Sequence, residues 1–300
     1  MNVSAGQYQS TPRVLKVVAC LAVVCGPAGA QGREDQGIIA FHSSDDGPLQ
    51  IYVMKPDGEG RRQLTSGPAS NVAPEISPDG RKIVFVSNRD GTDHLYLMDI
   101  DGRNQRRLTE SQYAEGEPTW SPTGARIFFR GGLDGGRIAL FSVNVDGSDL
   151  RQLTDGAIRY MRPGVSPDGT KILAPAVSGG SGLYVMDIDG GHPRRIPDSP
   201  QDVTFAAGSP DGAKIVFATS TPPPNLSGDI HVIGSDGAGY QRLTHGEGIS
   251  EYPCWSPDGG SIAFQTSRDG NFEIYVMAAD GTRLRRLTNH AGLDGRPSWR

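Results

Sequence analysis

The chain has 300 residues, enough for one large domain or two small ones, with 41 Gly and 22 Pro and a formal charge of −5. Few aromatics, no long apolar run and so many turn formers exclude a helical bundle or a helical membrane protein, and indicate short strands joined by tight turns. The acidic balance argues against nucleic acid or an anionic membrane as a partner.

The first 30 residues read as a secretory signal peptide. Arg13 and Lys16 precede the short apolar core "VVACLAVVC", and Ala28-Gly29-Ala30 sets cleavage after Ala30. The apolar stretch is too short to span a bilayer. A lipid-attachment signal at Cys20, which follows Val-Val-Ala, is the alternative; few apolar residues precede Cys20, and Val24 before Cys25 is too large for the usual lipobox. Cleavage leaves one cysteine, Cys254, so no internal disulfide is expected. The mature chain then carries 27 Lys+Arg against 34 Asp+Glu, a charge of −7. Residues 31–37 form a short linker, and a single domain over 38–300 follows.

That domain is a repeat. The first unit, "IIAFHSSDDGPLQIYVMKPDGEGRRQLT", runs from Ile38 to Thr65. Five more open with Ser-Pro at Ser77, Ser121, Ser166, Ser209 and Ser256, spaced by 44, 45, 43 and 47 residues. Each "SPDG" or "SPTG" turn leads into an apolar run such as "KIVFVS", then a loop, then a second run such as "LYLMDI". An Asp-Gly hairpin turn follows in all six units, from Asp57-Gly58 to Asp280-Gly281, and a short strand such as "RRLT" ends the unit. A segment before each Ser-Pro, "EPTW" or "YPCW", makes four strands. The middle runs are apolar on consecutive residues and need both faces covered. Sheets stacked face to face around an axis supply that cover, so the expected fold is an all-β, six-bladed β-propeller. The chain starts inside a unit and stops at "GRPSWR", where Trp299 takes the place of Trp120 and Trp255. The C-terminal strand is therefore expected to pair in the N-terminal blade and close the ring.

The stretch "SPDGRKIVFVSNRDGTDHLYLMDIDGRNQRRLT" (Ser77 to Thr109) resembles the WD40-like repeat of the TolB family, also found in propellers of prolyl-oligopeptidase-type peptidases. The likeness extends from Ile38 to Trp299. It implies a periplasmic or secreted location and a non-catalytic protein- or peptide-binding scaffold in the cell envelope. The peptidoglycan-associated lipoprotein Pal is the partner it suggests, with the chain itself a monomer. TolB proteins carry an α/β domain before the propeller, whereas here only residues 31–37 separate the leader from the first unit.

Candidate chemical motifs reduce to structure. Asp99 and Asp101 in "DIDG" alternate like calcium ligands, but other units place Lys55, Asn144, Gly234 or Ala278 at the position of Asp99. Arginine pairs such as Arg106-Arg107 sit on the outermost strand, where charge blocks pairing by other chains. Ser181 in "SGGSGL" lacks the glycine of a nucleophile elbow, because Leu183 stands there. No cofactor, metal or catalytic residue is expected.

Turns between the first and second and between the third and fourth strands share one face and are uniform. Loops on the other face vary from unit to unit, which is where recognition is expected. The residue expected at the start of each inner strand, near that mouth, is Ala73, Glu117, Arg162, Phe205, Tyr252 or Arg296. The series mixes aromatics with both charges, which suits a peptide or protein segment. His245 and His290 follow "LT" in adjacent units and are expected on the same face. The alternative is a propeller lyase or hydrolase acting on a carbohydrate in the channel, for which Glu117 and Glu251 are the nearby acids. Pro175 is expected to interrupt a strand, "FAAG" replaces the P-x-W pattern and "STPPPNLSG" lengthens a loop, which makes the fourth and fifth units the least regular.

Overall fold

A computed structural model describes residues 37–45, 47–220 and 227–300; the expected signal peptide, most of the expected linker and most of "STPPPNLSG" lie outside the described residues. The described residues hold 24 strands in six four-stranded antiparallel sheets, blades I to VI. Their inner strands touch in ring order. These are Asp294–Trp299 for blade I, Asn71–Ile76 for II, Glu115–Trp120 for III, Gly164–Val165 for IV, Val203–Gly208 for V and Ser250–Trp255 for VI. Blade I is composite: the C-terminal strand pairs with Ile39–Ser43, Ile39 opposite Trp299 and Ser43 opposite Asp294. The ring closes through that pairing. No helix among the described residues is long and apolar enough to cross a membrane.

In blades II and VI the second and third strands are buried along nearly all their length, as their unbroken apolar runs require. Phe41, Phe85, Phe129, Phe217 and Phe264 are fully buried at equivalent positions on the second strands, and blade IV holds Ala174 there. Each such phenylalanine stabilises the fold by about 1.5–3 kcal/mol. The core therefore lies in the seams between blades.

The turns are built twice over. In every Asp-Gly turn the aspartate accepts the amide two residues on, at 2.8–3.0 Å. The glycine also abuts the neighbouring blade: a Cβ on Gly102 (φ 91°) would lie 2.9 Å from the carbonyl oxygen of Leu64. In the Ser-Pro-Asp turns the serine hydroxyl donates to the aspartate and accepts the amide of the second strand, as Ser77 does from Lys82 at 2.9 Å. These turns stack around the ring, so that Gly259 overlies Pro210 and Gly212 overlies Pro167.

Blade IV departs from the repeat differently from expectation. Pro175 does not interrupt its strand, which runs from Lys171 to Ala176. The shortened element is the neighbouring inner strand, of two residues, because proline offers that strand no amide. The carbonyl of Pro175 still accepts the amide of Met161 at 2.8 Å.

Candidate functional site: the central channel

The inner strands of blades I, II, III and VI share a bulge at an X-Pro pair. Ala73, Glu117, Tyr252 and Arg296 have φ of 51°, 53°, 52° and 52°, in the left-handed region that side chains disfavour. Each precedes a proline, and the strand register shifts there. Proline adds no donor to the bulge, and the amides of Ala73 and Arg296 donate to the His42 ring and to Gln265 Oε1. In these blades, and for Phe205 in blade V, the residue is the third of its inner strand, not the first. It therefore sits at the channel waist rather than the mouth.

At the waist the predicted side chains meet one another. Arg296 donates to Glu117 Oε1 at 2.7 Å, and Arg130 approaches the same oxygen at 3.8 Å. The Arg296 guanidinium lies 4.4 Å from the centre of the Tyr252 ring, which stacks on Phe205 at 3.7 Å and 29°. Arg162, which lies outside any strand, forms a close ion pair with Glu75. These contacts nearly seal the waist, leaving a void of about 10 Å³. His245 and His290 are not part of it: His245 is exposed, and His290 Nδ1 lies 3.8 Å from Asp45 Oδ1. No group of three His, Cys, Asp or Glu among the described residues is arranged to hold a metal.

Burial sets the electrostatics. The Arg162 guanidinium is pulled down to about 10 and stays charged at neutral pH. Burial, with Arg296 nearby, pulls the His42 imidazole down to about 3, so it is neutral. Its Nδ1 accepts the Ala73 amide at 3.4 Å. Burial raises the Glu251 carboxyl, against the opposing charge of Arg296. Burial pushes the Cys254 thiol up to about 11, which keeps it protonated and unreactive.

Sequence reasoning missed a second ring. Glu75, Thr119, Gly164, Ala207, Cys254 and Ser298 occupy one register position, each opposite a second-strand residue such as Val84 for Glu75. They stand two residues after the waist series, and period-two alternation was the signal that could have found them. Below them a cavity of about 360 Å³ opens on the face of the Ser-Pro turns, lined by Arg162, Cys254, Trp120, Trp255 and Arg300. This space lies on the uniform-turn side, opposite the variable loops.

Residues 33–173 match the family model described as the TolB beta propeller domain. No curated protein matches the chain. Among solved structures it is similar to TolB from Acinetobacter baumannii, with a TM-score of 0.79, 21% identity and coverage of 89% of this chain and 67% of that one. It is also similar to Kuenenia stuttgartiensis hydrazine synthase, with a TM-score of 0.74, 17% identity and coverage of 88% and 46%. An oligogalacturonate lyase in complex with manganese aligns with a TM-score of 0.55 and 18% identity, over 85% of this chain and 74% of that one. At these identities the likeness is one of fold, shared by enzymes and by TolB alike.

Proposed function

We propose, for a chain that is a six-bladed β-propeller of the TolB-like type, that it serves as a non-catalytic protein- or peptide-binding scaffold exported to the cell envelope. The observation that carries this reading is the pairing at the waist. Glu117 is held by Arg296 and Glu75 by Arg162, so neither carboxylate is free to act as an acid or base. Six corresponding positions of the repeat present five kinds of side chain around one axis, with arginine twice, a surface suited to an irregular polypeptide rather than a symmetric ion. A Pal-like envelope lipoprotein is the partner that the TolB-like repeat suggests, and a monomer is the form that would display both faces. The glycan-enzyme reading retains one supporting feature, the raised carboxyl of Glu251 beside the channel.

Capture from the envelope extract of the source organism tests the proposal. The wild-type chain is compared with Arg162→Ala, on the cavity side, and with His245→Ala/His290→Ala on the variable-loop face. A protein retained by the wild type and lost with one variant of unchanged melting temperature supports the scaffold and identifies its face. No retained protein, together with turnover of an acidic oligosaccharide that Glu251→Gln abolishes, replaces it with the enzyme.

A further inference from the structure

The last residue of each inner strand faces an isoleucine in the same register: Ile76–Ile83, Trp120–Ile127, Val165–Ile172, Gly208–Ile215, Trp255–Ile262 and Trp299–Ile39. Trp120 reaches into the seam between blades II and III, where its indole N–H donates to the carbonyl of Glu75 at 2.9 Å. Trp255 does the same between V and VI, onto the carbonyl of Ala207 at 3.1 Å. Blade V has Gly208 in this place, and a Cβ built there meets nothing within 4 Å. Where Trp120 fills its seam, Val84 and Leu97 are 0% and 3% exposed. Their counterparts between blades IV and V, Leu173 and Val185, remain half-buried. They line a cavity of about 400 Å³ with Gly208, Ile196 and Ile215, within the range of small-ligand sites.

Blade V lacks the aspartate that blades II and IV supply beside the equivalent lysine; the IV–V seam itself keeps Asp187, held by Lys171, and the vacated place is on the face that blade V turns to blade VI. Lys82 pairs with Asp99 at 2.9 Å, and Lys171 with Asp187 at 2.5 Å, each across its strand pair. The residue opposite Lys214 is Gly234. Lys214 and Arg194 both line the cavity, and among the described residues neither has a carboxylate within ion-pair distance. Asp168 and Asp211 line it too, but each accepts the serine hydroxyl and an amide of its own turn.

We propose that the seam between blades IV and V is a binding slot for an aromatic side chain flanked by a carboxylate, supplied by an acidic, tryptophan-bearing segment of a partner polypeptide. The indole takes the place left by Gly208 and donates to the carbonyl of Gly164, the register equivalent of the carbonyls of Glu75 and Ala207. The carboxylate pairs with Lys214 and Arg194, the cations of the cavity that no aspartate holds. This rests on the scaffold reading, but its test uses a small probe and does not depend on capture of a partner.

The probe is N-acetyl-tryptophan, with N-acetyl-tryptophanamide and N-acetyl-alanine as controls, titrated into the full chain by ligand-observed NMR. The expected result is saturable binding in the millimolar range, at least about threefold weaker for the amide and undetectable for the alanine compound. Lys214→Ala erases the difference between acid and amide. Gly208→Trp raises the melting temperature by filling the slot from within, and removes binding. The proposal is overturned if the probe does not bind, if it binds Gly208→Trp as it binds the wild type, or if Gly208→Trp lowers the melting temperature. It is also overturned if Lys214→Ala leaves the acid preference intact.

Discussion

The guanidinium of Arg296 and the carboxylate of Glu117 meet at 2.7 Å across the channel, from blades I and III and 179 residues apart in sequence. Glu117 is 3% exposed and Arg296 25%. Breaking such a pair strands a buried charge. Arg296→Met is expected to destabilise by about 3 kcal/mol. Glu117→Gln/Arg296→Met together should cost less than the sum of the two singles. A double-mutant cycle by urea unfolding checks this, and additive effects would mean that the contact carries no coupling.

Ring closure rests on the strand Asp294–Trp299. Without residues 294–300, the strand Ile39–Ser43 loses its inner partner and Trp299 leaves the seam core. The expected fall in melting temperature exceeds about 10 °C. An unchanged midpoint by calorimetry would refute the pairing.

Acid should destabilise the propeller before its surface carboxylates titrate. Burial lowers His42 to about 3 and His231 to about 4, below the unfolded value of about 6.5. Between those limits the unfolded chain binds more protons, so stability is full above about pH 6.5 and falls as pH drops toward 4. His42→Gln should flatten that decline in chemical melts at pH 7, 6, 5 and 4; an unaltered slope would exclude His42 as the cause. Asp294 acts in the opposite sense. Its oxygens are buried, with Arg61 3.7 Å from Oδ1, and burial outweighs Ser43, Thr288 and Arg61 in raising its carboxyl. Asp294→Asn should therefore stabilise more at pH 8 than at pH 5.

Two glycines with positive φ should respond differently to alanine. Gly80 (φ 72°) has open space where a Cβ would go, so Gly80→Ala should cost only the backbone strain, about 1–2 kcal/mol. At Gly102 the carbonyl of Leu64 stands 2.9 Å away, and the substitution should cost about 3 kcal/mol or more, because the neighbouring blade must also shift. Equal costs in thermal melts would show that the seam yields freely.

By itself the sequence determined the number of blades, their strands and the way the ring closes. Those features are written in local chemistry: Ser-Pro and Asp-Gly turns at a fixed period, apolar runs between them, and an unpaired "RPSW" at the end. It also placed Glu117, Arg162, Phe205, Tyr252 and Arg296 near one axis, because equivalent positions of a closed repeat must converge. What those residues do there was settled only by the tertiary structure. A bulge at the X-Pro pair turns Glu117, Tyr252 and Arg296 into the waist, and Glu117, Arg162 and Arg296 each find their charge partner on another blade. Glu75 was overlooked because its role depends on Arg162, 87 residues away. Pro175 looked like a break because its effect falls on the adjacent strand rather than its own. The Asp-Gly glycines looked like turn residues alone, although at five of the six the nearest obstacle to a side chain is a carbonyl of the preceding blade. Turn chemistry and strand periodicity act over a few residues and can be read along the chain. Seams, waist and the vacancy at Gly208 arise where residues tens to hundreds apart are packed together, and only the assembled ring shows which of them touch.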